Sequence, residues 1–172
     1  DSIARVILGR ELVLRRARGY APLPLHFGPA VPGVLAVGGH MKNTVAVSID
    51  DNIFVSQHIG DLENRESMAA FESAIQSFRD LYAFRPTRVA ADMHPGYLSS
   101  KFAHDCGCPV SEVQHHYAHV AACMAENELE GTVLGVAWDG TGYGPDGTIW
   151  GGEFLLTNRT SFDRAASLRR FR

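Results

Sequence analysis

Strand-length runs of apolar residues open the part of the chain that follows residue 33. Residues 34–37, 44–49 and 53–56 are each rich in Val, Ile, Leu, Ala or Phe. The polar segment 50–52 separates the last two runs, and turn residues between two apolar runs are typical of a hairpin. The pattern therefore predicts three consecutive antiparallel strands.

The period of the apolar positions changes to that of a helix near Arg65. Asn64 immediately precedes this segment and is a favourable N-cap residue. Five apolar residues recur there at three- and four-residue steps, namely Met68, Phe71, Ile75, Phe78 and Tyr82. Further along, the pattern predicts a strand at 88–91, a helix at 98–105, a strand at 109–113 and a helix from His115 to about Leu129.

The order of these elements indicates a fold class. Three strands followed by helix, strand, helix, strand and helix are typical of an α/β half-domain with a mixed sheet, of the ribonuclease-H-like kind (the actin/Hsp70/sugar-kinase class), where two halves normally close around a nucleotide. Residues 132–138 then predict a new strand that turns through 139–147 and returns over 148–156. We interpret this hairpin as the start of a second half that is incomplete at residue 172, since roughly forty residues cannot bury a core of their own.

The first 32 residues have a different composition. Apolar runs at 6–8 and 12–14 precede an arginine-rich segment at 15–18, and prolines then occur at positions 22, 24, 29 and 32. Proline at this density interrupts helices and strands and is typical of an extended connection. We therefore expect residues 1–32 to be the tail of a preceding domain followed by a linker. The arginines are either solvated or in contact with an anionic ligand.

Composition and charge exclude several classes of protein. The 172 residues are 45% hydrophobic and 20% charged, as in ordinary folded domains. A net charge of -3, without long runs of one sign, gives no support for a nucleic-acid or membrane surface. The apolar runs are far shorter than a membrane helix, and the start of the chain has no signal-peptide pattern. We expect a soluble cytoplasmic protein whose three cysteines, Cys106, Cys108 and Cys123, form no disulfide framework.

Three of the eight histidines lie within five positions at the start of the last predicted helix. His115 and His119 are four residues apart, so they share one helical face and are able to bind one metal ion together. His116 faces away from this pair. With eight histidines in the chain, such a spacing also arises by chance. The spacing alone therefore leaves both a metal site and ordinary structural histidines open.

Two turns carry further candidate chemistry. The segment Asp139-Gly140-Thr141-Gly142 follows a predicted strand, where a carboxylate is suited to a metal ion and backbone N–H groups to a phosphate. A plain hairpin turn is the alternative, because Asp-Gly is a common turn dipeptide. Lys42 lies in the turn between the first two strands and is either a phosphate contact or simply solvated. The segments 57–62 and 92–95 also follow strands and are able to line the same cleft.

A set of ordered motifs runs along nearly the whole chain. They are RRARGYAP (15–22), KNT (42–44), SQHIGDLEN (56–64), HPGY (94–97), VQHHYAH (113–119), DGTGYG (139–144) and WGGEF (150–154). Together they resemble the HypF family of hydrogenase-maturation carbamoyltransferases, and several motifs in order are far more specific than any one of them. Members of that family are several times longer. The resemblance implies that residues 1–32 end a YrdC-like domain, that 33–130 form the first Kae1-like subdomain and that 131–172 begin the second.

The resemblance also implies a reaction. Carbamoyl phosphate is hydrolysed, the carbamate is adenylated with ATP to carbamoyl adenylate, and the carbamoyl group passes to the C-terminal cysteine of the partner HypE. That group later becomes the cyanide ligand of the nickel–iron hydrogenase centre. Active sites of the whole enzyme include parts that lie outside this chain, so we expect the chain to be inactive by itself.

Matching by motif assigns residues to this chemistry. His115, His119 and Asp139 would hold one divalent metal ion, iron or zinc, that polarises the carbamoyl oxygen. A further acidic ligand is expected outside the chain. The residues that would contact the nucleotide phosphates are Gly140, Thr141, Gly142 and Lys42.

Two other functions are compatible with the sequence. Other Kae1-like carbamoyltransferases, which act on tRNA or on antibiotics, share paired histidines on a helix, although the Gly19-Tyr20 and Gly60-Asp61-Leu62 motifs favour HypF. A non-catalytic metal-binding or docking module is the second alternative, and the incomplete second half supports it. A nucleotide kinase of the same superfamily is more distant, because phosphoryl transfer needs no paired metal histidines.

Overall fold

A computed structural model describes residues 1–169 of the chain, which contain three helices and thirteen strands. The helices are α1 (Arg65–Tyr82), α2 (Leu98–Asp105) and α3 (His115–Glu126). The strands are β1 (Ile3–Ile7), β2 (Arg10–Arg15), β3 (Pro24–His26), β4 (Val34–Ala36), β5 (Ala46–Ile49), β6 (Asn52–Val55), β7 (Arg88–Asp92), β8 (Val110–Val113), β9 (Val133–Ala137), β10 (Gly142–Tyr143), β11 (Ile149–Trp150), β12 (Glu153–Thr157) and β13 (Phe162–Ser167). In the described part of the chain, every helix is too short or too polar to cross a lipid bilayer.

The chain forms two compact units. The first contains residues 1–91 and 96–111, and the second contains residues 92–95 and the chain from Glu112 onward. Helix α3 therefore belongs to the second unit, whereas the sequence analysis places it in the first Kae1-like subdomain. The compact units and those subdomains are two different divisions of the chain, and the subdomain boundaries stay a prediction.

The main sheet has six strands in the order β3-β6-β5-β4-β7-β8. Strands β4, β5 and β6 are antiparallel neighbours, whereas β4 and β7 are parallel. The predicted α/β fold with a mixed sheet is therefore confirmed, as are the three antiparallel strands that follow residue 33. The parallel pair arises because α1 carries the chain back to the start of the sheet before β7 begins.

Helix α1 covers the apolar side of this sheet in the first unit. Its start is fixed by a capping box, in which the Asn64 side chain accepts a hydrogen bond from the Ser67 N–H at 2.8 Å. Four residues at helical spacing are buried along one face, namely Phe71, Ala74, Ile75 and Phe78. They pack into the same core as the buried strand residues Leu35, Val47 and Val89. The predicted N-cap and apolar face are both confirmed.

The proline-rich segment is more ordered than a simple linker. Residues Pro24–His26 form β3, which pairs antiparallel with β6 at the edge of the main sheet. Prolines are tolerated in an edge strand because one side of it needs no ladder hydrogen bonds. The sequence analysis predicted no strand within this extended connection, and these three residues form one. Before them, β1 and β2 form a separate antiparallel hairpin.

The second unit contains a three-stranded antiparallel sheet in the order β13-β12-β9. Alternate residues of β9 and β12 point to opposite faces, as the two-residue period of a strand requires. One face is buried and includes Gly135, Ala137 and Leu155, whereas Leu134, Val136 and Leu156 on the other face are exposed. Helix α3 contacts both β9 and β12.

The second arm of the predicted hairpin, residues 148–156, contains two strands rather than one. It is divided at Gly151 and Gly152 into β11, which pairs with β10, and β12, which pairs with β9. Strand β13 was not predicted, because its sequence FDRAAS lacks a strong apolar alternation. Its Arg164 forms two hydrogen bonds of 2.7 Å to the buried carboxylate of Glu153 in β12 and lies 4.2 Å from the Trp150 ring centre.

The contact between α3 and β9 depends on a glycine. A Cβ atom at Gly135 would lie 2.4 Å and 2.5 Å from the two methyl groups of Val120 in α3, closer than nonbonded carbons approach. Glycine therefore allows the helix to pack directly on the strand backbone. Because Asp139 follows β9, this contact also determines how far Asp139 lies from the start of α3.

We expect Gly135→Ala to lower the free energy of unfolding by about 1–3 kcal/mol, the usual range for overpacking a close contact. Chemical unfolding followed by circular dichroism measures this change. Gly151→Ala is the matched control in the same unit, because its Cβ would have 3.7 Å to the nearest atom. Adding Val120→Ala to Gly135→Ala should recover part of the loss. A Gly135→Ala chain as stable as the Gly151→Ala control would contradict this account of the packing.

Candidate metal centre

The first turn of α3 is held by the side chain of Gln114. This residue is the N-cap, and its side-chain oxygen Oε1 accepts a hydrogen bond from the Tyr117 N–H at 2.8 Å. Its amide nitrogen donates to His116 Nδ1 at 3.2 Å and to the Tyr143 carbonyl at 3.3 Å. Gln114 therefore fixes the direction in which the next residues project from the helix. The sequence analysis included Gln114 in a motif but did not identify this role.

Three potential ligand atoms meet beside this turn. His115 Nε2 lies 2.9 Å from Asp139 Oδ2 and 3.2 Å from His119 Nε2. His119 Nε2 lies 3.2 Å from the same Asp139 oxygen. The i and i+4 positions of α3 supply the two rings, and the chain after β9 supplies the carboxylate. The structure therefore brings together the three residues that the sequence analysis assigned to a metal ion.

The donor set fits a divalent transition-metal ion. For metal–ligand distances of about 2.1 Å, neighbouring ligand atoms lie about 3.4 Å apart in a tetrahedral site and about 3.0 Å apart in an octahedral one. The three observed separations of 2.9–3.2 Å lie close to these values. Two imidazoles and one carboxylate are ligands that both iron and zinc accept. The geometry accordingly suits either ion.

Charges around the three residues also favour a cation. The hydrogen bond that the His115 ring donates to Asp92 raises the pKa of His115 above its ordinary value, although burial opposes it, and Asp139 adds to the rise. Burial works to raise the pKa of Asp139, but the Gly140 N–H and the two histidine rings outweigh it and hold that pKa below its usual value. Asp139 is therefore ionised near neutral pH, and a metal ion would compete with a proton for His115.

His116 has a different environment from its two neighbours. Its side chain is completely buried, and burial lowers its pKa. Its Nε2 has no hydrogen-bond partner among residues 1–169. A Cβ at Gly142 would lie 2.5 Å from the His116 ring and 2.9 Å from the His115 Cβ. Glycine at 142 thus permits the DGTG turn to pack against the start of α3.

The remaining predicted phosphate-binding residues are exposed. The Gly140 N–H donates to Oδ1 of its neighbour Asp139 at 2.7 Å, and Thr141 is exposed. Lys42 belongs to the first unit, where its side chain is exposed and its backbone N–H donates to Asp61 Oδ1 at 2.7 Å. A contact between these residues and a phosphate stays a prediction.

Sequence reasoning did not identify the carboxylate that contacts Nδ1 of His115. Asp92, at the end of β7, places Oδ2 2.5 Å from His115 Nδ1, and its side chain is only 6% exposed. The sequence analysis grouped Asp92 with residues able to line a cleft. An acidic residue at the end of a buried strand was the available signal, but the pairing joins positions 23 residues apart and has no local pattern.

Comparisons with known proteins agree with this fold. Residues 29–126 match the family model described as the HypF Kae1-like domain, and residues 135–172 match the second subdomain of the Kae1-like domain of carbamoyltransferases. These two matches define a Kae1-like domain. The chain belongs to the HypF family.

Individual relatives support the same conclusion. The carbamoyltransferase HypF of Synechocystis sp. is 50% identical over 99% of this chain, and the probable carbamoyltransferase HypF of Methanocaldococcus jannaschii is 30% identical over 98%. The chain spans 23% of the length of each, so it corresponds to about a quarter of these relatives.

Two solved structures are similar over nearly the whole chain. A crystal structure of full-length HypF in the phosphate- and nucleotide-bound form superposes with a TM-score of 0.91 at 45% identity. The HypF of T. kodakarensis superposes with a TM-score of 0.82 at 37% identity. Each comparison covers 95% of this chain and 22% of the solved chain.

We expect the anaerobically purified chain to bind about one Zn²⁺ or Fe²⁺ ion and the His115→Ala/His119→Ala variant to bind none, because the variant retains only one of three ligands. Elemental analysis after equilibrium dialysis measures the metal content. His104→Ala, which removes an imidazole from α2 in the first unit, is the matched control and should bind as much as the parent. Equal metal content in the double variant and the control would show that the cluster is not a metal site.

Proposed function

We propose that this chain supplies the metal-binding part of a hydrogenase-maturation carbamoyltransferase. The proposal rests on one observation: the side chains of His115, His119 and Asp139 lie close together in a chain of the HypF family. Curated relatives that span its length are named carbamoyltransferases. Because the chain is about a quarter of those proteins, the substrates and the partner belong to the proposal for the whole enzyme.

The proposed reaction transfers a carbamoyl group to sulfur. Carbamoyl phosphate is hydrolysed and the carbamate reacts with ATP to give carbamoyl adenylate and pyrophosphate. The thiolate of the C-terminal cysteine of HypE then attacks the carbamoyl carbon, and AMP leaves. A bound divalent ion, iron or zinc, supplies Lewis-acid polarisation of the carbamoyl oxygen.

The residues of this chain hold and orient the components. His115 and His119 present Nε2, and Asp139 presents Oδ2, to a common point where they would bind the ion. Gly140, Thr141, Gly142 and Lys42 are proposed to contact the nucleotide phosphates. A HypF structure similar to this chain contains phosphate and nucleotide, which supports this part of the proposal. To bind a phosphate, the Gly140 N–H would have to exchange its present hydrogen bond to Asp139 for one to the phosphate.

We also propose the ribonuclease-H-like class for the fold, with residues 1–32 as the end of a YrdC-like domain, 33–130 as the first Kae1-like subdomain and 131–172 as the beginning of the second. The observed mixed sheet and the family match at 29–126 support this division. A cytoplasmic location is proposed because ATP is consumed and because Cys106, Cys108 and Cys123 are free thiols, which the reducing cytosol maintains.

A hybrid enzyme tests the proposed function. The chain would replace the corresponding segment of the Synechocystis sp. relative, to which it is 50% identical. We expect the hybrid to transfer labelled carbamoyl from carbamoyl phosphate to a C-terminal HypE peptide, and His115→Ala/His119→Ala to reduce this transfer more than about a hundredfold, since Lewis-acid stabilisation contributes several kcal/mol.

The controls separate this function from the alternatives. His104→Ala in the hybrid should retain activity, as should the hybrid without substitution. Transfer only to tRNA or to a sugar would contradict the choice of HypE as acceptor. The isolated chain is expected to catalyse no ATP–pyrophosphate exchange, whereas the hybrid should catalyse it; no exchange by an otherwise folded hybrid would support a docking module instead.

A further inference from the structure

The carboxylate of Asp92 is held between two donors in the second unit. Its Oδ1 accepts a hydrogen bond from the His94 N–H at 2.8 Å, and its Oδ2 lies 2.5 Å from His115 Nδ1. The side chain is 6% exposed, so water competes little for these oxygens. Because the backbone N–H of His94 fixes one oxygen, the other oxygen has a defined position against the imidazole ring.

This contact determines which nitrogen of His115 faces the candidate metal centre. With Nδ1 against Asp92, the opposite nitrogen Nε2 faces Asp139 at 2.9 Å and His119 at 3.2 Å. A neutral imidazole carries a single proton, and a nitrogen that binds a metal must be unprotonated. A proton retained at Nδ1 by Asp92 leaves the lone pair of Nε2 free.

His119 is arranged differently from His115. Within residues 1–169, both of its hydrogen bonds involve Nε2, one with His115 and one with Asp139. Its side chain is 58% exposed, compared with 21% for His115. The protein therefore orients the His115 ring through Asp92 and leaves the His119 ring more exposed to solvent.

We propose that Asp92 is a positioning residue that holds His115 in the Nδ1–H tautomer and aims Nε2 at the metal ion. It acts through His115 and touches neither the ion nor the substrate. The proposal rests on the metal site of the proposed function, and it adds a residue that does not itself bind the ion. Carboxylates behind metal-binding histidines typically contribute ten- to hundredfold to metal affinity.

The substitution Asp92→Asn distinguishes this role from simple packing. The amide oxygen is able to keep the hydrogen bond from the His94 N–H, and this places the NH₂ group against His115 Nδ1. An NH₂ group donates, so it favours a ring whose Nδ1 is unprotonated and whose proton sits on Nε2. The substitution therefore keeps the shape of the side chain and reverses the preferred tautomer.

Asp146→Asn is the matched control. Asp146 also lies in the second unit, and its Oδ1 accepts the N–H of Thr148, two residues further on, as that of Asp92 does from His94. Titration of the 172-residue chain with Zn²⁺ against a chromophoric chelator measures affinity. We expect Asp92→Asn to weaken Zn²⁺ binding about ten- to hundredfold and Asp146→Asn to leave it unchanged. Equal affinities in the two variants would overturn the proposal.

A second measurement needs no metal. Two-dimensional ¹⁵N NMR of the metal-free chain, at a pH where the His115 ring carries one proton, reports the tautomer directly. We expect Nδ1–H in the parent chain and in Asp146→Asn, and Nε2–H in Asp92→Asn. A parent ring protonated on Nε2 would overturn the proposal even if the Asp92→Asn variant failed to fold.

The two measurements separate this proposal from the proposed function. A parent chain that shows the Nδ1–H tautomer but binds no Zn²⁺ would refute the metal site and leave the orientation of His115 by Asp92 established. A parent chain that binds Zn²⁺ with the Nε2–H tautomer in its metal-free form would preserve the metal site and refute the role of Asp92.

Discussion

The contact of α3 with the backbone of β9 is the constraint on which the second unit depends. Val120 lies over Gly135, which has no side chain to hold the helix away from the strand. The same helix presents His115 and His119 near its start, and the same strand leads into Asp139. The distances between the three candidate ligand atoms are therefore set by the packing of a helix on a strand. Such packing is stiffer than a loop. The candidate metal ligands are therefore held by a rigid part of the second unit.

Hydrogen bonds also orient the ring nitrogens of the candidate metal centre. Gln114 fixes the first turn of α3 and the neighbouring Tyr143 backbone, and Asp92 contacts the far side of His115. Two carboxylates thus flank one imidazole, and their charge favours a proton or a metal ion between them. Ligand atoms that are oriented by such contacts lose less conformational freedom when they bind an ion.

The sequence predicts those features that depend on neighbours along the chain. Both ends of α2 and the N-cap of α1 agree with the sequence analysis, since caps and helical periods are local signals. Strand β13 was missed because its pairing with β12, rather than its own apolar content, makes it a strand. The link from Asp92 to His115 was missed for the same reason, because the partner is chosen by the fold. The His-x-x-x-His spacing indicated two candidate ligands, and the DGTG segment after a strand, together with the family motif, indicated the third, Asp139.

The ion pair between Glu153 and Arg164 has a consequence for how this domain is able to change over evolutionary time. Glu153 is 1% exposed and receives two hydrogen bonds from Arg164 on the neighbouring strand. Replacing Arg164 leaves the Glu153 charge buried and uncompensated, at a cost of about 3–5 kcal/mol, whereas replacing both with apolar residues of similar volume is often tolerated. Lineages that lose this pair should therefore have passed through a compensating change elsewhere, or have exchanged both residues within a short interval.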